Sequence, residues 1–275
     1  MPELPETETI ARDLDRELRG RAIHAVVVRR ADVLREASAG ELASRVAGTT
    51  ITRVWRRAKV VVIDLDSGDH LAVQPRFTGA LLLSRGPLDP AHLPYTTLHF
   101  ELDDGRDLHY RDIRRLGTVA LMSAAVFAEY SAALGVEPLD PAFDVANLSA
   151  LVRSSAQAVK KVLMDQRRVV GIGNIYANEA CWRAEIDPSR IARSLSEPQV
   201  SRLHAAIVSV LTESIAARGT SFRDYVDSSG RKGGFEKSLA AYGRGGEPCL
   251  RCGARLVETH AIDGRTTVLC AHCQS

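Results

Sequence analysis

Residues 49–65 read TTITRVWRRAKVVVIDL, two runs of β-branched and aromatic residues on either side of the stretch RRA. Runs of this composition are typical of β-strands. Similar runs recur from Ala22 to about Ser123, among them AIHAVVV, HLAVQ, TTLHFEL and TVALM, with the turn signals DSGD and DDG between them. The pattern predicts an antiparallel β sandwich or barrel of about eight strands.

The segments on either side of these runs follow a helical period. Before them, ETETIARDLDRELRG at 6–20 places Ile10, Leu14 and Leu18 four apart and ends in Gly20, which predicts one amphipathic helix. After a loop containing EPLDP at 137–141, helical spacing returns. It covers 148–152, 159–164, 175–182 and 196–219, where Ser196 is the expected N-cap. The fold class is therefore α+β, with a β-rich first part and a helical second part.

Composition sets the class of protein. A chain of 275 residues with 45% hydrophobic and 25% charged residues suggests about two globular domains, and it excludes global disorder and collagen-like structure. No run of about 18 apolar residues occurs, and the N-terminus MPELPETETI is acidic. We therefore expect a soluble, cytoplasmic protein with no membrane partner.

The formal net charge of +2 does not by itself indicate a polyanionic partner. The basic residues are nevertheless segregated. Residues 53–61 hold Arg53, Arg56, Arg57 and Lys59 with no acid, and a second basic stretch covers 153–168. Such clusters are either solvated faces or parts of a phosphate-binding stripe, and the sequence leaves both readings open.

Four of the five cysteines lie in the last 27 residues, as two CxxC pairs with 17 residues between them. This spacing predicts one structural Zn²⁺ held by four thiolates. The ligands would be Cys249, Cys252, Cys270 and Cys273. The segment between the pairs is long enough for a β-hairpin that turns at Asp263-Gly264. The alternative is two reduced pairs without metal. His260 and His272 are expected at the surface, and Cys181 inside a helix.

Pro2 becomes the N-terminus once Met1 is removed, which frees a secondary amine. An α-amino group titrates near 8, so part of it is neutral at pH 7, and its attack on an aldehyde carbon gives a cationic iminium. Glu3 and Glu6 would supply acid/base chemistry beside it. The alternative is a stiff N-terminal cap on the first helix. GIGN at 171–174 likewise is either a turn or a phosphate site at a helix N-terminus.

Six motifs occur together in one order. They are PELPETET at 2–9, RRAK at 56–59, DIRRLG at 112–117, LMDQRRVVGIGNIYANE at 163–179, YGRGGEPC at 242–249 and GRTTVLCAHCQ at 264–274. In this combination the chain resembles the bacterial formamidopyrimidine-DNA glycosylases of the Fpg/Nei family over essentially its whole length.

The resemblance implies a fold of three parts. Residues 1–135 would form a catalytic domain with an N-terminal helix and a β sandwich. Residues 136–235 would form a helical DNA-binding domain with a helix-two-turn-helix, and 236–275 a zinc finger.

The resemblance also implies roles for four residues. Pro2 looks like the nucleophile that attacks C1′ of the damaged nucleotide, and Glu3 like the acid that assists opening of the sugar. Lys59 resembles the proton donor linked to β elimination, and Arg265 the residue linked to δ elimination.

Further residues match positions that contact DNA in the family. Phe77, Arg114 and Leu116 correspond to the side chains that fill the gap left by the flipped nucleotide, with Arg114 facing the orphaned base of the other strand. Lys160, Asn174 and Tyr242 match phosphate contacts, and Tyr95 replaces a usual histidine. The sequence departs from the family pattern where HLGMTG reads QPRFTG and DPRRFG reads DIRRLG, and Ser155 replaces an expected lysine.

The expected function is a bifunctional DNA glycosylase and AP lyase that removes 8-oxoguanine and formamidopyrimidines from damaged double-stranded DNA. We expect a monomer in the bacterial cytoplasm that is nucleoid-associated when on DNA. Two alternatives stay open at this point. One is a Nei-like preference for oxidised pyrimidines, and the other is a non-catalytic DNA-damage-binding protein.

Overall fold

The computed structural model describes residues 2–86, 88–221 and 224–275, so Met1 lies outside the described residues. The chain forms two compact units. The first comprises Met1–Ala132 and Ala217–Gly234, and the second Ala133–Ala216 and Phe235–Ser275. The three-part division at residues 135 and 235 stays a prediction.

Helix α1 spans Leu4–Leu18 and confirms the predicted amphipathic helix. Its N-cap is Glu3, and Pro5 lies in the first turn, where a missing N–H costs nothing. The predicted stripe of Ile10, Leu14 and Leu18 is fully buried. The helix ends just before Gly20, whose φ of 81° only glycine adopts without strain.

In the described residues between α1 and position 123, nine strands occur, one more than the sequence suggests for this region. They are β1 (Ile23–Val28), β2 (Leu34–Arg35), β3 (Ile51–Arg57), β4 (Val60–Leu65), β5 (His70–Gln74), β6 (Gly79–Arg85), β7 (Thr96–Leu102), β8 (Arg106–Asp112) and β9 (Thr118–Met122). The short helix α2, Ala39–Val46, lies between β2 and β3. Strand β2 is too short to show an alternating pattern, so the sequence does not reveal it.

The strands form two sheets, which confirms the sandwich. One sheet has the order β1-β7-β8-β6 and is antiparallel throughout. The other has the order β2-β9-β5-β4-β3 and is antiparallel except for the parallel pair of β2 and β9. The inner faces of both sheets share one apolar core with α1, which includes Val61, Leu81, Phe100 and Tyr110.

Two connections cross between the sheets at the same end of the sandwich. Residues 75–78 lead from β5 to β6, and residues 113–117 lead from β8 to β9. They are neighbours because Gln74 pairs with Thr118 at one side and Gly79 pairs with Asp112 at the other. The name crossover turns is used below for 75–78 and 113–117.

Helices dominate the rest of the chain. Helix α3, Ala124–Ala132, packs on β9 of the first unit and was not predicted, because AAVFAEYSA has no clear amphipathic period. The second unit contains α4 (Val145–Arg153), α5 (Val159–Met164), α6 (Asn174–Ala184) and α7 (Glu197–Ala216), which confirms the four predicted helices. In the described part of the chain, no helix has the length and apolar character needed to cross a membrane.

The C-terminal cysteine segment contains the expected hairpin. Strand β10, Val257–Thr259, pairs antiparallel with β11, Thr267–Leu269. Gly264 has a φ of 75°, which fits the predicted turn at Asp263-Gly264.

Gly117 offers a test of the packing between the crossover turns. A Cβ at this position would lie 1.9 Å from the Tyr110 hydroxyl and 2.7 Å from the Gln74 carbonyl oxygen. We expect Gly117→Ala to lower the free energy of unfolding by about 1–3 kcal/mol, because the backbone must shift to relieve the overlap. Calorimetric unfolding measures the effect.

Gly40→Ala is the matched control, since it adds the same methyl group in α2 with nothing within 4 Å. It should be neutral or slightly stabilising, as alanine favours helix. Equal midpoints for the two variants would contradict the proposed crowding at Gly117.

Candidate functional site

The N-terminus of α1 is held by one buried carboxylate. Pro2, Glu3 and Glu6 are all buried. The Glu3 amide donates to Oε2 of Glu6 at 2.8 Å, and the Thr220 amide donates to Oε1 of Glu6 at 2.7 Å. Glu6 therefore acts as an acceptor for two backbone N–H groups, and it fixes the residue that follows Pro2.

The segment 217–234 is bound to α1 by ion pairs. The Arg218 guanidinium contacts the carboxylates of Asp13 and Asp227. Asp227 is buried, and it also accepts the amides of Ser229 and Arg231, both at 2.9 Å. Burial favours the neutral acid, but these donors and Arg218 outweigh it and lower the pKa of Asp227. The parts of segment 217–234 near Arg218 and Asp227 are thereby fixed beside α1, the helix that begins after Pro2.

Lys59 lies in the two-residue turn between β3 and β4, and its side chain is largely buried. The preceding residue, Ala58, has a φ of 55°, an uncommon conformation for a residue with a side chain. Arg56 stabilises it: Nη1 donates to the Ala58 carbonyl at 3.0 Å, and Nε donates to Oε2 of Glu8 at 2.8 Å. The turn that carries Lys59 is therefore tied to the second turn of α1.

The two crossover turns place three predicted residues at the surface. Phe77 is 45% exposed and Leu116 is 41% exposed, although both are large and apolar. Arg114 is also exposed, and its guanidinium carbon lies 5.2 Å from the centroid of the Phe77 ring.

One buried carboxylate joins the two crossover turns. Asp112 accepts hydrogen bonds from the Thr78 hydroxyl, from the Gly117 amide at 2.8 Å and from the Tyr110 hydroxyl at 3.4 Å. The Thr78 hydroxyl in turn accepts the Arg114 amide at 3.0 Å. The turn that carries Phe77 and the turn that carries Arg114 and Leu116 are therefore joined by hydrogen bonds through Thr78 and Asp112.

Tyr95 lies near the crossover turns of the first unit. It ends a short 3₁₀ turn before β7 and is 43% exposed. It lines an open cavity of about 350 Å³ together with Arg30, Ile113 and Arg115. The position is accessible to a ligand, and the charged residues that line the cavity are two arginines and Asp112.

In the second unit, the zinc-segment hairpin is fastened to α6. The Thr266 carbonyl accepts hydrogen bonds from Lys160 Nζ at 3.2 Å and from Asn174 Nδ2 at 3.0 Å. Asn178 Oδ1 accepts the Val268 amide at 2.7 Å. Arg265 is the exposed residue next to this anchored carbonyl.

Lys160 differs from the other candidate phosphate contacts because its side chain is 0% exposed. Its ammonium also donates to Thr267 Oγ1 at 2.7 Å and lies 3.7 Å from Asp263 Oδ1. Burial lowers the pKa of Lys160, and the Asp263 carboxylate opposes that shift. The phosphate contact expected for Lys160 stays a prediction, and in the structure this ammonium faces the hairpin.

Tyr242 follows a loop that is held by Glu179. The Glu179 carboxylate is fully buried and accepts the amides of Ala240, Ala241 and Tyr242, at 2.9, 2.9 and 2.8 Å. Burial raises the pKa of Glu179 even though the three amides favour the charged form. Helix α6 therefore anchors both the hairpin and the loop of Tyr242.

The four C-terminal cysteines converge. The Sγ atoms of Cys249, Cys252, Cys270 and Cys273 all lie within 4.8 Å of one another, and Cys252 Sγ lies 3.5 Å from Cys270 Sγ. Tetrahedral zinc with bonds of about 2.3 Å requires sulfur atoms about 3.8 Å apart, so the cluster fits this metal. His260 and His272 are exposed, as expected.

Models of three protein domains match this chain. The formamidopyrimidine-DNA glycosylase N-terminal domain matches residues 1–119, and the formamidopyrimidine-DNA glycosylase H2TH domain matches residues 134–226. The zinc finger found in FPG and IleRS matches residues 246–275. The formamidopyrimidine-DNA glycosylase of Desulfitobacterium hafniense is 39% identical, with 100% of both chains covered. That of Moorella thermoacetica is 43% identical, with 93% of both covered.

The chain belongs to the formamidopyrimidine-DNA glycosylase family.

Solved structures of this family share the fold. Lactococcus lactis Fpg in complex with DNA containing N7-benzyl-Fapy-dG is 29% identical, with a TM-score of 0.90 and 100% of both chains covered. The MutM (FPG) protein of Thermus thermophilus is 35% identical, with a TM-score of 0.87, and 99% of this chain and 98% of that chain are covered. A MutM structure in complex with DNA containing carbocyclic 8-oxo-G has a TM-score of 0.90.

These findings confirm the family resemblance, the α+β fold and the structural zinc ion. The zinc-finger match and the cysteine cluster point to the same metal, so the alternative of two reduced pairs without metal is wrong. Cys181 is fully buried in α6, and burial raises the pKa of its thiol to about 12, which keeps it neutral.

The site residues fall into two groups. The first unit of this formamidopyrimidine-DNA glycosylase family member contains Pro2, Glu3, Lys59, Phe77, Tyr95, Arg114 and Leu116, and the second contains Lys160, Asn174, Tyr242 and Arg265. Sequence reasoning missed the residues that hold them, chiefly Asp112 and Glu179. Both lie inside motifs quoted above. Asp112 accepts two hydroxyls and one amide, and Glu179 accepts three loop amides, and no local pattern identifies these partners.

The zinc site is tested by exchanging one ligand. We expect one zinc per wild-type chain, and Cys252→Ser should lower zinc retention strongly, because a neutral hydroxyl replaces a thiolate ligand. Cys252 is exposed, so little packing is lost. Metal analysis of dialysed protein gives the stoichiometry.

Cys181→Ala is the control, because it removes a cysteine outside the cluster and should keep one zinc. Wild-type protein with well below one zinc per folded chain would count decisively against the site.

Proposed function

We propose that this chain is a bifunctional DNA glycosylase and AP lyase of base-excision repair that excises oxidised purines from damaged double-stranded DNA. The observation that carries the proposal is Pro2 at the fixed start of α1, in a chain whose relatives are formamidopyrimidine-DNA glycosylases over their full length. Related structures bound to DNA that contains Fapy-dG or carbocyclic 8-oxo-G support oxidised purines as the substrate class.

Pro2 is the nucleophile. After removal of Met1, its amine nitrogen attacks C1′ of the damaged nucleotide, and the glycosidic bond breaks as the base leaves with the bonding electrons. The sugar ring then opens, and an iminium joins Pro2 to C1′. Because Glu6 accepts the Glu3 amide, the backbone next to Pro2 is fixed, which reduces the cost of orienting the amine for attack.

Glu3 and Lys59 move protons in this scheme. Glu3 assists opening of the sugar, and Lys59 donates the proton linked to β elimination. Supporting this role, the turn of Lys59 is tied to α1 through Arg56 and Glu8. The Glu8 carboxylate is partly buried, but Arg56 and Arg12 outweigh that burial and lower the pKa of Glu8, so the tie is an ion pair at neutral pH.

Arg265 contributes δ elimination and binds phosphate. It is exposed at the anchored hairpin, and its guanidinium suits bidentate phosphate contact. Asn174 at the start of α6, Tyr242 and Tyr95 add DNA contacts that position the duplex without reading its sequence. Lys160 is proposed as a further phosphate contact, and its ammonium also holds the Thr266 carbonyl beside Arg265.

Phe77, Arg114 and Leu116 fill the gap left by the flipped nucleotide. A base inside the stack is out of reach, so the enzyme must extrude it, and exposed apolar side chains then stabilise the unstacked step. The exposure of Phe77 and Leu116 supports this role. We further propose that the protein works as a monomer in the bacterial cytoplasm and is nucleoid-associated when on DNA.

Covalent trapping tests the chemistry. Borohydride should trap wild-type protein lacking Met1 on a duplex with 8-oxoguanine, because reduction converts the iminium to a stable amine. The same chain with Met1 retained should bind the duplex but show no trapping, and the mass of the protein verifies its processing. Failure of the processed protein to be trapped on any oxidised-base duplex would make it a damage-binding protein without catalysis.

The substrate class is tested by a lesion comparison. We expect excision of 8-oxoguanine to be at least about tenfold faster than excision of thymine glycol, which corresponds to about 1.4 kcal/mol in the activation free energy. Single-turnover rates on matched duplexes measure the ratio. The reverse order would favour the Nei-like preference for oxidised pyrimidines.

A further inference from the structure

Phe77 and Arg114 belong to different crossover turns, yet they form one contact pair. The Arg114 guanidinium carbon lies 5.2 Å from the centroid of the Phe77 ring, within the range of a cation–π interaction. Both side chains are exposed, so packing does not fix either of them. An exposed arginine normally samples many rotamers, and the ring restricts that freedom.

The backbone on each side of this pair is held in an uncommon conformation. Arg76 has a φ of 50° and Arg115 a φ of 51°, and each directly precedes an exposed apolar residue, Phe77 or Leu116. Such conformations persist in residues with side chains only where the surroundings impose them. Here the surroundings are the hydrogen bonds of Asp112 described above.

The connection between the turns passes directly beneath the pair. Thr78 follows Phe77, and its hydroxyl accepts the Arg114 amide while it donates to Asp112. The Cα positions that carry the ring and the guanidinium are therefore fixed relative to each other. Their contact is a property of the unbound protein and does not depend on DNA.

We propose that Phe77 is a specificity-determining residue that acts through Arg114. Its ring holds the guanidinium in one orientation before DNA binds, so that discrimination of the base opposite the lesion depends on Phe77. The inference rests on the proposed function, in which Arg114 faces the orphaned base.

The chemistry of the guanidinium explains the dependence. Arg114 presents only donors, in a planar fork. The pairing edge of cytosine offers two adjacent acceptors, N3 and O2, whereas that of adenine offers one acceptor next to the N6 donor. A guanidinium held in one orientation favours cytosine, because it cannot turn away from the adenine amino group without losing the ring contact.

The experiment compares single-turnover excision of 8-oxoguanine opposite cytosine and opposite adenine. Phe77→Leu should reduce the cytosine-to-adenine rate ratio by about two- to fivefold, the size expected for loss of an exposed cation–π contact. Phe77→Trp keeps an aromatic face and should retain the ratio. Leu116→Ala removes apolar surface from the other crossover turn and should slow excision opposite both bases alike.

The contact itself is measured in the free protein. The Arg114 Nε–H proton should show an upfield ring-current shift in NMR spectra, which is lost in Phe77→Leu and kept in Phe77→Trp. A ratio that is unchanged in Phe77→Leu, or equal to one in wild type, would overturn the inference and leave the proposed function intact. Absence of excision by wild type on every lesion would overturn both.

Discussion

Three buried carboxylates hold the irregular backbone that carries the candidate site residues. Glu6, Asp112 and Glu179 are each at most 1% exposed, and each accepts at least one backbone N–H of a turn or loop. Such segments have no strand or helix partner for their amides, and a buried amide without an acceptor is costly. Removing a carboxylate from water is costly as well, and several donors around it offset that cost. Each buried carboxylate therefore needs the donors of its loop, and the amides of the loop need the carboxylate as an acceptor.

This arrangement separates the groups proposed to react from the groups that hold them. Glu6 fixes the residue after Pro2, Asp112 joins the crossover turns of Phe77 and Leu116, and Glu179 fixes the loop that leads into Tyr242. The side chains that would meet DNA remain exposed or at the ends of elements, while their backbone does not move freely. Preorganisation of this kind lowers the cost of ordering on binding, and it keeps reacting atoms within the narrow geometry that catalysis needs.

The sequence predicted the parts whose chemistry is local. The zinc ligands follow from two CxxC pairs, and α1 follows from the spacing of Ile10, Leu14 and Leu18, because in both cases the partners lie within a few residues or one hairpin. The carboxylates could not be found in this way. Glu6 meets Thr220 across 214 positions and Glu179 meets Ala241 across 62, so nothing local pairs them. For Lys160, the family resemblance identified the residue as a candidate contact but did not reveal that its side chain is buried. A lysine in a basic stretch is expected at the surface, yet tertiary packing buries this one under the hairpin.

The departures from the family pattern at Phe77 and Leu116 have a structural explanation in the crossover turns. The pattern HLGMTG and DPRRFG, which the resemblance supplies, places a methionine on the first turn and a phenylalanine on the second, whereas this chain has Phe77 and Leu116 there. The two turns are joined through Thr78 and Asp112, and each projects its apolar residue after a left-handed arginine. Under the proposed function, the apolar surface that meets DNA would be the sum of both turns, and an aromatic ring on either turn would supply a similar wedge. The position of the ring does change its neighbour, because from residue 77 it contacts Arg114. Under the proposed function, the exchange would conserve the wedge and alter the control of Arg114. Intercalation and base discrimination would then depend on different features of the same two turns.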